Sequence, residues 1–213
     1  MFYKPESAKM IRPENALKGR DSCMEISAIH TVNGHTMSPP FEADQQLAMF
    51  GLGCFWGAER KLWTLDGVDA TAVGYSAGFT PNPNYQEVCS GSTGHNEVVL
   101  IIFKPSLIHY KTLLKVFWES HNPTQGMQQG NDVGTQYRSG IYTYNTEQFE
   151  LATQSLFRYQ QALNQHGLAP ITTEIKPATE FYYAEEYHQQ YLHKNPDGYC
   201  GLGGCGIPLQ LST

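Results

Sequence analysis

The sequence predicts an α+β fold in which helices pack against one sheet as a two-layer sandwich. The order strand, helix, strand across residues 46–75 is typical of layered α and β elements. A continuous apolar run over residues 97–103 predicts a strand that is buried on both faces. The 213 residues contain no internal repeat and no low-complexity tract, so we expect a single domain with one core.

The first elements each have their own signal. Residues 1–45 hold four prolines and no sustained periodicity, which predicts an extended arm laid over the core. A strand is expected near 46–52, a helix from Cys54 to about Leu65, and a second strand over 68–75.

The later elements follow the buried strand at 97–103. Ser106 can cap a helix whose apolar positions run from Tyr110 to Trp118. A strand is predicted at 139–144, followed by a long helix from Thr146 that closes at Gly167.

The end of the chain changes in composition. An edge strand is expected at 171–175, between two prolines, and many glycines follow residue 195. We therefore divide the chain into the arm (1–45), a folded body (46–194) and a coiled, glycine-rich, flexible tail (195–213).

Charge and composition exclude several functional classes. The formal net charge is −6, and the 14 lysines and arginines form no evident cluster, which argues against nucleic acid or an anionic membrane as a partner. No apolar run reaches the roughly 18 residues of a membrane span, and residues 1–20 lack the apolar centre of a secretory signal. Five cysteines without the dense spacing of a secreted disulfide scaffold favour a reducing, cytoplasmic location.

The segment Gly53-Cys54-Phe55-Trp56-Gly57 places a thiol at the predicted start of a helix. Unpaired N–H groups and the helix dipole favour the thiolate there, so we expect a lowered thiol pKa and a nucleophile. The two aromatic residues offer an apolar wall beside the sulfur. The alternative is that Cys54 is an ordinary buried small hydrophobe.

A second candidate group is the Glu97 carboxyl. Glu97 follows a loop of small residues and stands at the start of the most apolar predicted strand. Apolar neighbours would raise its pKa and make it a proton donor near neutrality, unless it is a solvated strand-end residue. Tyr85 and Tyr137 lie in polar loops rich in glycine or proline, and their hydroxyls can donate hydrogen bonds to an oxygen. Either tyrosine could equally serve as core or surface filler.

Together these motifs resemble the A-type peptide methionine sulfoxide reductase family. The resemblance runs from about Ala16 to Gly206. It rests on the strings GCFWG at 53–57, GY at 74–75, TPNPNY at 80–85, TGHNE at 93–97, GNDVGTQYRS at 130–139 and YYAEEYHQQYL at 182–192. It implies a ferredoxin-like core and an arm of the extended bacterial form.

The resemblance also implies a thiol-dependent oxidoreductase that reduces methionine S-sulfoxide, free and in proteins, as a repair of oxidative damage. Cys54 would attack the sulfoxide sulfur while Glu97 protonates the departing oxygen, to which Tyr85 and Tyr137 would be hydrogen-bonded. The substrate-binding positions that the resemblance implies are Phe55 and Trp56 for the S-methyl group and Asp132 near the substrate backbone. No cofactor and no metal are implied.

In the same resemblance the Cys54 sulfenic acid condenses with Cys200, the resolving thiol, and thioredoxin reduces the disulfide. Many bacterial relatives carry a further tail cysteine eight residues after the resolving one, but this chain has Pro208 there and Cys205 instead. We therefore expect Cys205 to relay electrons weakly or not at all. Cys23 and Cys89 match no catalytic position and are expected to be inert.

Three other classes stay open at this point. A cysteine hydrolase or acyltransferase would need a histidine base, for which His95 or His188 could serve. A zinc site could use Cys200, Cys205 and His193, although the spacing lacks the cysteine pair of structural zinc sites. A non-enzymatic binder of oxidised methionine is the third class. The physiological substrates, the native reductant, the oligomeric state and, from residue spacing alone, the sulfoxide epimer are not determined by the sequence.

Overall fold

A computed structural model describes residues 8–210. Its strands are β1 (Gln46–Leu52), β2 (Val68–Ser76), β3 (Asn96–Phe103), β4 (Gln128–Gln129), β5 (Asp132–Val133), β6 (Ser139–Thr143), β7 (Glu174–Pro177) and β8 (Tyr182–Tyr183). Six of them form a central sheet in the order β7-β6-β1-β3-β2-β8. β6 and β7 are parallel and the other neighbours antiparallel, so the sheet is mixed, while β4 and β5 form a separate hairpin.

The helices lie on one face of this sheet or at its edges. They are α1 (Phe55–Trp63), α2 (Tyr85–Cys89), α3 (Tyr110–Ser120), α4 (Thr146–Gln165) and α5 (Tyr191–Lys194), with 3-10 turns at Pro13–Asn15 and Thr135–Tyr137. Leu62 of α1, Phe117 of α3 and Tyr159 of α4 share one apolar core with the facing strand residues. This mixed arrangement of sheet and helices confirms the coarse fold class. No described helix is long and apolar enough to cross a membrane.

Strand β3 is buried on both faces, as its sequence predicts. Val99 and Ile101 face the helices, whereas Leu100 and Ile102 pack with Met37 on the other face. Met37 belongs to the N-terminal segment and is only 1% exposed. The segment before β1 therefore covers the face of the sheet that the helices leave open. Burial of an apolar side chain such as Met37 stabilises the folded state by about 1.5–3 kcal/mol.

Two predicted boundaries are wrong. Helix α3 begins at Tyr110 with His109 as its N-cap and no side-chain cap bond, so Ser106 does not cap it. The edge strand expected at 171–175 lies instead at Glu174–Pro177. The backbone of Thr172 is instead bonded to the Pro123 carbonyl, which keeps it out of the sheet.

The tail differs from the expected flexible segment at 195–213. Residues 195–210 form no helix or strand, but the side chains of Ile207 and Leu209 are buried in the core. The Tyr159 hydroxyl donates to the Ile207 carbonyl at 3.1 Å, and the Leu209 amide donates to Glu119 at 2.7 Å. The tail is thus held at its far end, because apolar residues follow the glycines. Residues 211–213 of the tail and 1–7 of the arm lie outside the described residues.

Candidate active site

Cys54 occupies the turn between β1 and α1 and is the N-cap of α1, which confirms its predicted place at a helix N-terminus. Gly53 before it has φ of 91°, and a Cβ there would lie 2.6 Å from the side chain of Gln129. Only glycine fits this tight turn. No side-chain hydrogen bond caps the helix at Cys54, but the backbone N–H groups of Trp56 and Gly57 lie close enough to the thiol to lower its pKa.

The pKa of the Cys54 thiol is nevertheless raised, so the expected lowering is wrong for the site without substrate. Burial is the largest cause, and the negative charge of Glu97 is the next. The N–H groups of Trp56 and Gly57 lower the pKa but do not outweigh the loss of hydration. At rest the sulfur therefore keeps its proton.

Glu97 lies near the start of β3 and is 1% exposed. Its Oε2 accepts the N–H of Phe55 at 3.0 Å, which ties the carboxyl to the first turn of α1, beside Cys54. Burial raises the pKa of Glu97 to about 8, against the lowering by the Phe55 N–H, and the charge of Asp132 raises it further. The predicted raised pKa is confirmed, and at neutral pH the carboxyl is mostly protonated.

Tyr85 and Tyr137 both lie near enough to Glu97 for its charge to affect their pKa values. Tyr85 is the first residue of α2, and its amide donates to Glu185 at 2.8 Å. Tyr137 ends the second 3-10 turn. Burial, followed by the charge of Glu97, raises the pKa of both phenols, so both stay neutral and able to donate a hydrogen bond.

The two aromatic residues after Cys54 have different exposures. Phe55 is 1% exposed and packs on Tyr75 with ring centroids 5.9 Å apart. Trp56 is partly exposed and stacks on Tyr191 at 4.0 Å. Phe55 is therefore a buried neighbour of Cys54, whereas part of the Trp56 side chain is open to solvent.

The tail passes over this site. The Tyr199 hydroxyl donates to Oδ2 of Asp132 at 3.2 Å, and burial raises the Asp132 pKa. A Cβ placed on Gly57 would lie 2.9 Å from Sγ of Cys200, so the Cys200 thiol rests against α1 one turn from Cys54. Cys205 instead packs against the apolar core near Tyr159.

The family model for peptide methionine sulfoxide reductase matches residues 46–204. This chain belongs to that family. It is 66% identical over 203 residues to the peptide methionine sulfoxide reductase MsrA of Rippkaea orientalis, with 94% of each chain covered. It is 56% identical over 205 residues to the mitochondrial peptide methionine sulfoxide reductase of Bos taurus, covering 96% of this chain and 88% of the relative.

A solved structure agrees with the sequence comparison. Methionine sulfoxide reductase A of Corynebacterium diphtheriae superposes with a TM-score of 0.82 at 40% identity, covering 94% of this chain and 99% of that one. The family predicted from the motifs is thus confirmed, and the chain is an oxidoreductase of the methionine sulfoxide reductase type.

The sequence did not reveal how the reductase organises its aromatic residues around His188. The His188 ring lies 4.5 Å from Tyr85 and 5.7 Å from Trp56, and its Nδ1 accepts the Trp56 indole N–H at 3.0 Å. Glu185 accepts both the Tyr85 amide and the Tyr75 hydroxyl. The sequence feature that could have indicated this cluster is the string at 182–192, which is rich in aromatic and acidic residues but has neither helical nor strand periodicity.

The geometry of the reductase does not favour the competing classes. His188 has its Nδ1 occupied by Trp56, and burial lowers its pKa to about 4. Both ring nitrogens of His95 are engaged, with the Thr80 carbonyl at 2.7 Å and the Gly78 amide at 3.2 Å. Neither imidazole is hydrogen-bonded to Cys54 as a base would be. Within residues 8–210 no group of three His, Cys, Asp or Glu side chains could hold a metal ion, so a zinc site at His193 finds no ligand set there.

Proposed function

We propose that this reductase converts methionine S-sulfoxide, free or within proteins, to methionine at Cys54. The observation that carries the proposal is the pairing of a thiol with a protonated carboxyl at one helix start. Glu97 Oε2 lies 3.0 Å from the Phe55 amide, and the next residue back is Cys54. A sulfoxide oxygen leaves poorly until it is protonated, so a nucleophile beside a neutral acid is the arrangement that this reaction needs.

In the proposed first step the Cys54 sulfur bonds to the substrate sulfur while Glu97 protonates the oxygen. Tyr85 and Tyr137 donate hydrogen bonds to that oxygen, and Trp56 and Phe55 contact the S-methyl group. The oxygen then passes to Cys54, so methionine leaves and Cys54 becomes a sulfenic acid. One thiol and one sulfoxide give one sulfenic acid and one thioether, which balances atoms and electrons.

In the second step Cys200 attacks the sulfenic sulfur, and the Cys54–Cys200 disulfide forms with loss of water. The contact between Cys200 and Gly57 supports this pairing. An external dithiol protein, thioredoxin, would reduce the disulfide and become oxidised itself. Cys205 packs on the core, which supports a weak relay role or none.

Finer assignments belong to the same proposal. β6, β1, β3 and β2 are adjacent in that order, which supports a ferredoxin-like core. We divide the chain into three parts: the arm (1–45), the catalytic body (46–194) and the tail with the resolving cysteine (195–213). Asp132 would bind the substrate backbone, and reduced cysteines fit a cytoplasmic location.

Single-turnover mass spectrometry with pure sulfoxide epimers tests the proposal. Glu97→Gln should slow methionine formation by roughly 10²–10⁴-fold, the usual contribution of a general acid. Glu150→Gln, an exposed carboxyl on α4, is the matched control and should keep the wild-type rate. An unchanged rate in Glu97→Gln would remove that residue from the mechanism.

The cysteine variants test the second step in the same assay. Cys200→Ser should form one methionine and retain a sulfenic acid that dimedone traps, whereas Cys205→Ser should still form the disulfide and turn over with thioredoxin. Loss of thioredoxin-linked turnover in Cys205→Ser, with the first round intact, would instead assign that thiol a relay role. Multiple turnovers with dithiothreitol would exclude a binder that lacks chemistry.

A further inference from the structure

Arg20, in the segment before β1, contacts the loop that leads into Tyr85. Its backbone N–H donates to the Pro81 carbonyl at 3.1 Å. Its guanidinium donates through Nη1 to the Asn82 carbonyl at 2.8 Å and through Nη2 to Glu87 Oε1 at 2.6 Å. One side chain thus bridges the start of the loop and the body of α2, on either side of Tyr85.

The loop at this point has an uncommon backbone conformation and is closely packed. Asn82 has φ of 45°, in the left-handed region that asparagine enters more readily than other residues with a Cβ. Its side-chain amide donates to the Arg20 carbonyl at 2.8 Å, so Arg20 holds Asn82 through both its backbone and its side chain. Gly19, with φ of 71°, lies so close that a Cβ there would be 2.1 Å from the Pro81 carbonyl oxygen. The segment at Gly19 and Arg20 therefore fixes this conformation.

Helix α2 cannot hold Tyr85 by itself. It has 5 residues, far fewer than the roughly 12–15 that an isolated helix needs in water. Its start depends on a capping box in which Asn84 Oδ1 accepts the Glu87 amide and Glu87 Oε2 accepts the Asn84 amide, both at 2.9 Å. The second oxygen of the same carboxylate accepts Arg20, so the cation orients the carboxylate that caps the helix.

We infer that Arg20 is a positioning residue for the Tyr85 phenol, so that the N-terminal segment forms part of the active-site support. The inference rests on the role proposed above for Tyr85 at the sulfoxide oxygen. Arg20 does not touch the substrate. It acts through the loop conformation at Asn82 and the cap at Glu87, which together set where the first residue of α2 points.

Stability alone does not account for this arrangement. The Arg20 and Glu87 side chains are 35% and 25% exposed, and an ion pair with that exposure adds little to the stability of a fold. The planar guanidinium of Arg20 donates to the Asn82 carbonyl and to the Glu87 carboxylate at the same time. A lysine can satisfy only part of this pattern.

A double-mutant cycle in single-turnover kinetics tests the inference. Arg20→Gln should slow methionine formation by roughly three- to tenfold, as expected for coupled neighbours in one hydrogen-bond network. Arg20→Lys should lie between Arg20→Gln and wild type. In a Tyr85→Phe background, Arg20→Gln should change the rate less than twofold, because the hydroxyl that it positions is gone.

Two readouts separate positioning from a general structural defect. Formation of the Cys54–Cys200 disulfide after the first step should keep its wild-type rate in Arg20→Gln, since Tyr85 has no part in it. Arg12→Ala is the matched control, because Arg12 belongs to the same segment and its side chain pairs, among residues 8–210, with the exposed Glu14 alone, at 3.4 Å. It should leave both steps unchanged, and urea unfolding of each variant verifies that it is folded.

The outcomes are distinguishable. Equal slowing by Arg20→Gln with and without the Tyr85 hydroxyl, or slowing of both steps alike, would overturn the positioning role while leaving Tyr85 in the mechanism. A wild-type rate in Arg20→Gln would overturn it as well. A wild-type rate in Tyr85→Phe alone would overturn the proposed role of the phenol and, with it, this inference.

Discussion

Cys54 and Glu97 hold their protons for the same physical reason, and each affects the other. Both groups are buried, and burial penalises whichever of them is charged. An ionised Glu97 also repels a thiolate at Cys54, so the two negative charges do not coexist readily. In the proposed mechanism, Glu97 would therefore release its proton to the substrate oxygen, and Cys54 would become a thiolate only during its attack.

This coupling predicts that Glu97→Gln lowers the pKa of the Cys54 thiol. The substitution removes a negative charge that raises this pKa, while the N–H groups of Trp56 and Gly57 remain. The rate of iodoacetamide alkylation at Cys54, followed by peptide mass spectrometry across pH 6–10, measures it. Above about pH 8, where Glu97 of the wild type is ionised, the rate in Glu97→Gln should be higher than in wild type, since a larger fraction of the thiol is ionised.

Glu150→Gln, which changes an exposed carboxyl on α4, is the matched control. It should leave the alkylation rate of Cys54 at the wild-type value at every pH. A Cys54 rate in Glu97→Gln that equals the wild-type rate at pH 9–10, or is lower, would contradict the electrostatic coupling.

At the scale of elements, the first turn of α1 contacts three of the candidate site residues. Cys54 caps it, Glu97 binds its first amide at Phe55, and the thiol of Cys200 rests on Gly57. The last contact explains why a glycine is kept inside this helix. Alanine would otherwise stabilise the helix by about 0.5–1 kcal/mol.

We predict that Gly57→Ala separates the two chemical steps. The new Cβ would lie 2.9 Å from Cys200 Sγ and 3.1 Å from Leu202 Cβ, so the tail must move away. Disulfide formation should slow by roughly 10- to 100-fold, the effect of misplacing a reacting group by about an ångström. Methionine formation should not change, because the Gly57 N–H is retained.

Rapid quenching with mass spectrometry measures both steps in Gly57→Ala. Gly203→Ala is the matched control, since a Cβ there meets no atom within 4 Å. Equal disulfide rates in Gly57→Ala and wild type would show that the tail reaches Cys54 from a different position.

Elements defined by a local sequence pattern could be predicted, whereas features that depend on residues far apart in the sequence could not. Strand β3 and helix α1 follow from local patterns and were predicted closely, as was the raised pKa of Glu97 from its apolar neighbours. Helix α2 was missed because its 5 residues are too few to show a helical periodicity, although the capping pair Asn84 and Glu87 is local. The direction of the Cys54 pKa was wrong because the helix terminus is visible in the sequence but the depth of burial is not.

At the scale of the whole molecule, buried ionisable groups connect distant segments. Glu59 of α1 accepts the Gln190 amide at 2.9 Å and the Thr71 hydroxyl at 3.1 Å, and Thr71 is bonded to His30 at 3.0 Å. Burial raises the pKa of Glu59 to about 7 and lowers that of His30 to about 4. The fold thus contains buried acids and buried bases whose contributions to stability have opposite pH dependence.

The signs can be assigned to separate pH windows. Glu59 and Glu97 titrate near 4.5 when unfolded and at about 7 and about 8 when folded, so the native state binds more protons and stability falls as pH rises through this range. His30, His121 and His188 titrate near 6.5 when unfolded and at about 4 when folded, so stability rises with pH up to about 6.5. Above about pH 7.5 the histidines are neutral in both states, and of these five groups only the acids still change stability.

We therefore predict that the free energy of unfolding of the reduced protein is greatest near pH 6.5 and falls by about 1 kcal/mol by pH 8. Urea unfolding at half-unit steps under dithiothreitol measures this. Because Glu97 is the acid that titrates latest, Glu97→Gln should remove most of the decline between pH 7 and 8, whereas Glu150→Gln should keep the wild-type slope. Stability that is constant or rises from pH 6.5 to 8 would mean that the Glu97 carboxyl is ionised at neutral pH, and the proton donor of the proposed mechanism would be lost with it.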